Sequence, residues 1–197
     1  MQWLGSLGRS KSDSKRAIIN FGIVESNVYI VDEHLNLMDT VTLLSNFHRD
    51  QNISEDTITS IQTDSDLRID LINYFKINKD RQFAIALLDR FIAIRLQPDG
   101  EMPFEDLMLA SYILGLHGNI EDCLKIWDAK YADFDTYLGF DTGLMLFADS
   151  EKTLDFLKNQ PDDNSKKAFA YLSDRLKGAG ANELKGYYLN TALPWYV

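Results

Sequence analysis

A helical period of apolar residues begins near Asp66 and continues almost to the end of the chain. In residues 80–96, apolar side chains recur at i, i+3 and i+4, the spacing that places them on one buried helix face. The clearest break is Gln97-Pro98-Asp99-Gly100, because proline and glycine end helices and set turns. Further helices are predicted at about 104–116, 120–131, 134–147, 151–159, 164–177 and 182–192. Since the loops between most of these helices are short, neighbouring helices should be antiparallel.

The pattern before Asp66 is less regular. Residues 17–47 are rich in β-branched and aromatic side chains, which favours a small β element with a hairpin loop at 33–36. A helix through the same residues stays open, because short apolar runs do not separate the two states. Residues 48–65 are polar and should form a surface connection containing a short helix. The predicted fold class is therefore mainly α, with antiparallel helical hairpins stacked in a repeat-like array.

Charge divides the chain into a basic leader and an acidic body. Residues 1–16 form a flexible leader in which four basic side chains face one acid, and residues 17–197 form a single mainly helical domain. The whole chain has 30 acidic and 20 basic residues. Nucleic acid is therefore excluded as a partner, because its affinity depends on Lys and Arg neutralising phosphates. Contact between the leader and an anionic membrane is the weaker alternative to an exposed tail.

Cysteine content and hydropathy predict the compartment. Cys123 is the only cysteine in the sequence, which rules out an internal disulfide framework and fits a reducing environment. No apolar run approaches the roughly 20 residues that a membrane-spanning helix needs. These features predict a cytoplasmic protein.

Three turns in the helical part have similar surroundings. They centre near Gly118, Asp149 and Gly180, each 31 residues after the one before. A fixed period of about 30 residues is typical of stacked helical hairpins, because each hairpin alone cannot bury its apolar face.

In the hairpin at 107–127, Ser111 and Cys123 are the small residues, Gly118 closes the turn, and Trp127 is the large aromatic residue, expected in the core. This arrangement resembles a tetratricopeptide-type repeat. The resemblance implies a concave groove that binds an extended peptide.

The sequence has no pattern typical of an active site. His34, His48 and His117 are far apart and show no H-x-x-x-H spacing, and His117 is expected to cap a helix C-terminus. Zinc patterns and phosphate-binding glycine loops are absent from the sequence, and so is the ordered alternation of a calcium loop. We therefore predict a protein that is not an enzyme and that uses no cofactor or metal.

One segment has an unusual charge. Residues 99–141 contain ten acidic and two basic residues, a net charge of −8, interleaved with aromatic side chains. Charge of one sign speeds association with an oppositely charged protein, and buried rings supply binding energy. The competing interpretation is that the rings form the core while the acids are a solvated face. The predicted partner-binding residues are Asp99, Glu101, Glu105, Asp106, Glu121, Asp122, Asp128, Asp133, Asp135 and Tyr137.

Together these features predict a module that binds another protein, and the docking surface of that partner is expected to be basic. In being compact, acidic and helical, the chain is similar to some bacterial immunity proteins, which bind and neutralise a toxin. That similarity implies one folded basic domain as the partner. The alternative function is a tetratricopeptide-like scaffold or adaptor for an extended peptide.

Overall fold

A computed structural model describes residues 39–178, 181–190 and 192–197. This part of the chain is mainly helical and contains no strand, which confirms the predicted fold class. The predicted leader at 1–16 lies outside the described residues, as does the larger part of the predicted β element, up to residue 38.

Ten α-helices and two short 3-10 segments make up the described fold. The helices are α1 (Thr40–Asp50), α2 (Glu55–Thr63), α3 (Ser65–Ile77), α4 (Arg81–Arg95), α5 (Phe104–Gly115), α6 (Asp122–Lys130), α7 (Phe134–Gly139), α8 (Ser150–Lys158), α9 (Asp163–Arg175) and α10 (Ala181–Lys185). The 3-10 segments are Thr142–Leu146 and Tyr187–Leu189. The short helix expected within 48–65 is α2.

The prediction of a β element was wrong where the structure describes it, because residues 40–47 lie in α1. The Asp39 carboxylate accepts a hydrogen bond of 2.7 Å from the backbone N–H of Thr42, which caps the helix N-terminus. Leu43, Leu44 and Phe47 are buried, and this i, i+1, i+4 spacing is that of a helix face. Capping and tertiary burial therefore outweigh the strand preference of the valine and threonines in this segment.

Two predicted helices are each divided in the structure. The one at 134–147 ends at Gly139, and a 3-10 segment follows from Thr142. A side chain at Gly143 would place its Cβ 2.5 Å from the Tyr187 ring, so close packing of these two segments depends on glycine. The one at 182–192 is divided into α10 and the second 3-10 segment.

Helix α5 is the centre of the core. All its residues from Asp106 to Gly115 are buried, as expected of a helix surrounded by other elements. It packs most extensively on α4 and also contacts α3, α6, α7 and the first 3-10 segment, while α8 packs on α9. None of the described helices has both the length and the apolar character that crossing a bilayer requires.

The hairpin of α5 and α6 has the burial expected from the sequence. Ser111, Cys123 and Trp127 are all buried, which confirms the core position of Trp127. Gly118 in the intervening turn has φ +71°, a left-handed conformation that favours glycine. The turn predicted near Gly180 falls on residues that are not described.

Arg68 of α3 ties the C-terminal segment to the core. Its buried guanidinium donates hydrogen bonds to the Asp106 carboxylate at 2.6 Å and to the backbone carbonyl of Tyr196 at 2.5 Å. The Tyr187 hydroxyl lies 3.1 Å from the Tyr196 hydroxyl and donates to the Asp141 carboxylate at 2.8 Å. The end of the chain is thereby fixed by a polar network in the interior.

Candidate protein-binding surface

The ten predicted binding residues differ in their access to solvent. Five are exposed: Asp99, Glu101, Glu121, Asp128 and Asp135. Glu105, Asp133 and Tyr137 are half-buried. Asp106 and Asp122 are buried. The acidic segment is therefore partly interior, and its residues have different roles.

The two buried acids are paired with arginines from other helices. Asp106 accepts from Arg68 at 2.6 Å and from the side-chain amide of Gln62 at 3.1 Å. Asp122 forms a two-point pair with Arg81 of α4, with N···O distances of 2.9 and 2.5 Å. Both carboxylates are enclosed by the chain's own side chains, so neither can contact a partner.

Helix α7 brings three of the predicted residues together and is fixed at its N-terminus by Asp133. The Asp133 carboxylate accepts from the backbone N–H of Thr136, while the Thr136 hydroxyl accepts from the backbone N–H of Asp133, both at 2.9 Å. The second Asp133 oxygen accepts from Arg95 Nε at 2.5 Å. That hydrogen bond lowers the pKa of the Asp133 carboxyl to about 2, so this cap stays ionised.

Arg95 gathers further acids around the start of α7. Its Nη2 atom lies 3.7 Å from an Asp135 carboxylate oxygen. The hydrogen bond to Asp133, together with the negative charges of Asp135 and Glu105, raises the pKa of the Arg95 guanidinium. Three predicted binding residues, Glu105, Asp133 and Asp135, thus surround Arg95, and the four side chains together carry a net negative charge.

Lys130 fixes the other end of α7. Its side chain is only 1% exposed, and its ammonium donates to the backbone carbonyls of Tyr137 and Phe140 at 2.9 and 2.7 Å. A cation at a helix C-terminus is favourable because the carbonyl ends carry partial negative charge. Burial lowers the pKa of the Lys130 amine, because the interior disfavours its charged form.

The outward face of α7 is apolar. Phe134 is 73% exposed and Leu138 is 65% exposed, and as an i, i+4 pair they share one face of the helix. Tyr131, just before α7, is half exposed, and the Asp135 side chain is 76% exposed. We call Tyr131, Phe134, Asp135, Tyr137 and Leu138 the α7 surface. It joins exposed apolar area to negative charge.

The remaining exposed acids lie elsewhere. Asp99 and Glu101 follow α4, and Glu121 precedes α6. Asp128 accepts a hydrogen bond of 2.8 Å from Asn164, the residue whose amide oxygen accepts from the Trp127 indole at 2.9 Å. Asp128 therefore belongs to the α6–α9 contact, and the other three acids contribute only to the general negative field.

The predicted list of binding residues lacks five that determine this surface: Tyr131, Phe134, Leu138, Arg95 and Lys130. Leu138 carries much of the exposed apolar area, and Arg95 and Lys130 hold α7 in place. The i, i+4 spacing of Phe134 and Leu138 is visible in the sequence, but it does not show whether that face points inward or outward. Nothing in the sequence marks Lys130 as a buried amine.

His117 and Cys123, two residue types that often act in catalysis, have structural roles in this fold. The predicted cap is confirmed, since His117 Nδ1 lies 3.0 Å from the Ile113 carbonyl at the C-terminal end of α5. Burial raises the pKa of the Cys123 thiol to about 12, which keeps it protonated and unreactive. Among the described residues, no group of three or more His, Cys, Asp and Glu side chains is placed to hold a metal ion.

Comparison with family models, curated proteins and solved structures gave no match to this chain.

Proposed function

We propose that this chain is a non-enzymatic, immunity-type protein that binds and neutralises a basic toxin domain in the cytoplasm through the α7 surface. The observation that carries the proposal is that α7 is held at both ends while its outward face is apolar. A six-residue helix is unstable alone, because helix formation requires a costly nucleus. Here the Asp133–Thr136 cap, Arg95 and Lys130 supply the missing stability.

Such an arrangement suits a binding site better than it suits a solvated surface. A rigid element loses little conformational freedom when a partner docks, so more of the contact energy appears as affinity. Phe134 and Leu138 expose apolar area that folding alone would favour burying. Aromatic anchors at the centre of an interface with a polar rim are the usual source of strong binding.

Charge points to a basic partner. Asp135 lies beside the apolar pair and is mostly exposed, and the whole chain has a net charge of −10. Complementary charge raises the association rate and disfavours acidic partners. A cationic toxin domain, such as a nuclease that must bind phosphates, has the required charge.

The test begins by capturing partners from the producing organism on immobilised full-length chain. A parallel capture uses a double variant, Phe134→Ser with Leu138→Ser. A protein retained by the wild type and lost with the variant is then purified for binding measurements. We expect it to have a basic domain, to bind with a Kd of about 1 nM or below, and to be toxic to cells unless this chain is co-expressed.

For that partner, the Phe134→Ser, Leu138→Ser double variant should weaken binding by at least about 30-fold, the effect of losing one strong hot-spot side chain. Both residues are exposed, so the thermal midpoint should stay within error of the wild type. The matched control is Leu189→Ser with Leu193→Ser, a second exposed apolar pair. Equal loss of binding from the two pairs would show that the α7 surface has no special role.

Charge reversal tests the electrostatic part of the proposal. Asp135→Lys should slow association and reduce its dependence on salt, because a charge at the interface rim acts mainly on the association rate constant. Asp70→Lys on α3 is the matched control, since Asp70 is also exposed and its reversal changes net charge equally. If both reversals slow association alike, only net charge matters.

The peptide-adaptor alternative has one observation in its favour. A groove of about 680 Å³ runs beside the C-terminal segment, lined by Tyr112, Leu189, Leu193, Trp195 and their neighbours. The same control pair decides between the two functions. Loss of binding from the Leu189→Ser, Leu193→Ser variant, with the α7 variant unaffected, would favour an extended peptide in this groove.

A further inference from the structure

A notch beside α7 has aromatic walls. It has a volume of about 370 Å³ and is lined by Tyr131, Asp133, Phe134 and Tyr137. The ring centroids of Tyr131 and Tyr137 are 5.8 Å apart and their planes are inclined by 88°, so the two rings form perpendicular walls. Phe134 adds a third ring and Asp133 a carboxylate. Aromatic rings grouped at one notch are a combination that recognises organic cations.

Two of these rings already have a lysine ammonium over them, and Tyr131 also stacks on Trp127, with 5.1 Å between the ring centroids. The ammonium of Lys130 lies 5.6 Å from the centroid of Tyr137, and that of Lys167 lies 5.8 Å from the centroid of Tyr131. Both distances are within the range of a cation–π contact. No ring or cation of the described part of the chain packs over Phe134, so its ring remains open to a ligand.

We infer that the notch receives an arginine side chain of the partner, an inference that rests on the proposed function. Both oxygens of Asp133 are occupied, by Arg95 and by the backbone N–H of Thr136. An incoming cation therefore meets the open Phe134 ring first, with the exposed Asp135 carboxylate nearby on α7. Guanidinium suits this setting better than ammonium, because it is planar, stacks on rings and is more weakly hydrated.

The volume is consistent with a single side chain. A notch of about 370 Å³ is at the small end of ligand sites, which suits one guanidinium group with its methylene stem. The arginine would be the central charged anchor of the interface, while Phe134 and Leu138 bury apolar area around it.

The experiment uses small probes and the full chain, so it does not depend on knowing the partner. N-acetyl-arginine methylamide is titrated while the aromatic side-chain resonances are followed by NMR. We expect saturable shifts for Tyr131, Phe134 and Tyr137. The citrulline analogue has nearly the same shape without the charge, and it should give no saturable shift. Equal shifts with citrulline would overturn the inference, as would binding of the corresponding lysine probe but not arginine.

Two variants locate the probe. Phe134→Leu keeps apolar volume but removes the ring, and it should weaken arginine binding about threefold, the effect of one exposed cation–π contact. Ile77→Ala changes an exposed apolar residue of α3, outside both the notch and the α7 surface, and it should leave the affinity unchanged. Equal effects of the two variants would contradict the inference.

Failure of this inference can be told apart from failure of the proposed function. If partner capture depends on α7 but the arginine probe does not bind, only this inference fails. If capture does not depend on α7, the proposed function fails whatever the probe does.

Discussion

Replacing Asp106 with alanine is expected to destabilise the protein by about 3–5 kcal/mol, because it leaves a buried guanidinium without its counter-ion. Asp106 and Arg68 are both almost fully buried, and their N···O distance is 2.6 Å. The substitution also removes the acceptor of the Gln62 amide. Urea denaturation should show a lower midpoint with an unchanged slope, the sign of lost stability without a change in the surface exposed on unfolding.

An exposed ion pair is the matched control. Lys166 and Asp163 are 3.1 Å apart and both largely in solvent, so Lys166→Ala should leave the midpoint within error. A double-mutant cycle with Arg68→Met and Asp106→Leu should give less destabilisation than the two single changes summed, since the two side chains interact directly. Additive effects, or an Asp106→Ala midpoint equal to that of Lys166→Ala, would contradict a structural role for this pair.

The same pair connects the acidic segment to the end of the chain. Arg68 donates to Asp106 on α5 and to the backbone carbonyl of Tyr196, the residue before Val197. Tyr196 is in turn joined through Tyr187 to Asp141. Asp106 and Asp141, two acids of the 99–141 segment, therefore hold the C-terminal segment in place.

How much the sequence predicts depends on how local each interaction is. Helices α4, α5 and α9 were placed within a few residues, because apolar periodicity and turn chemistry act over neighbouring positions. The strand preference of residues 40–47 failed, because α1 is buried by helices that come later in the sequence. It packs on α3, and the ring centroid of Phe47 lies 5.3 Å from that of Phe83 on α4. Residue preferences for strand or helix do not include such tertiary contacts.

The pairing of the acids in residues 99–141 also depends on residues that are distant in sequence. Arg68, Arg81 and Arg95 pair with acids 38, 41 and 38 residues further along the chain. A count over residues 99–141 therefore overstates the charge that a partner would meet, because the neutralising arginines lie on α3 and α4. Periodicity can mark Asp106 and Asp122 as helical, but it cannot show which arginine lies opposite.

The orientation of aromatic residues was equally undetermined. Trp127 and Phe134 are both aromatic residues within the acidic segment, yet Trp127 is buried and Phe134 is exposed. The difference comes from α9, which packs on α6 around Trp127, and from Lys130, which fixes α7 with Phe134 outward. Both causes are tertiary, so the list of rings could be read from the sequence but their division into core and surface could not.

Trp127 packs α6 on α9. Its side chain is 1% exposed, and its ring lies 5.1 Å from that of Tyr131 and 5.4 Å from that of Tyr171. Its indole N–H donates to the side-chain oxygen of Asn164 at 2.9 Å. Removing this side chain would leave a cavity between α6 and α9 and free Tyr131, which forms one wall of the notch.

Trp127→Ala is therefore expected to destabilise the fold by about 3–5 kcal/mol, the usual cost of truncating a buried aromatic side chain. Trp195→Ala is the matched control, since Trp195 is 63% exposed and its loss should cost about 1 kcal/mol, mainly its hydrogen bond to Asp141. Denaturation midpoints of both variants decide the matter. Equal shifts would place Trp127 outside the rigid core. A large shift for Trp127→Ala, with weaker arginine-probe binding under conditions where the variant is still folded, would show that α6 supports the α7 surface as well as the core.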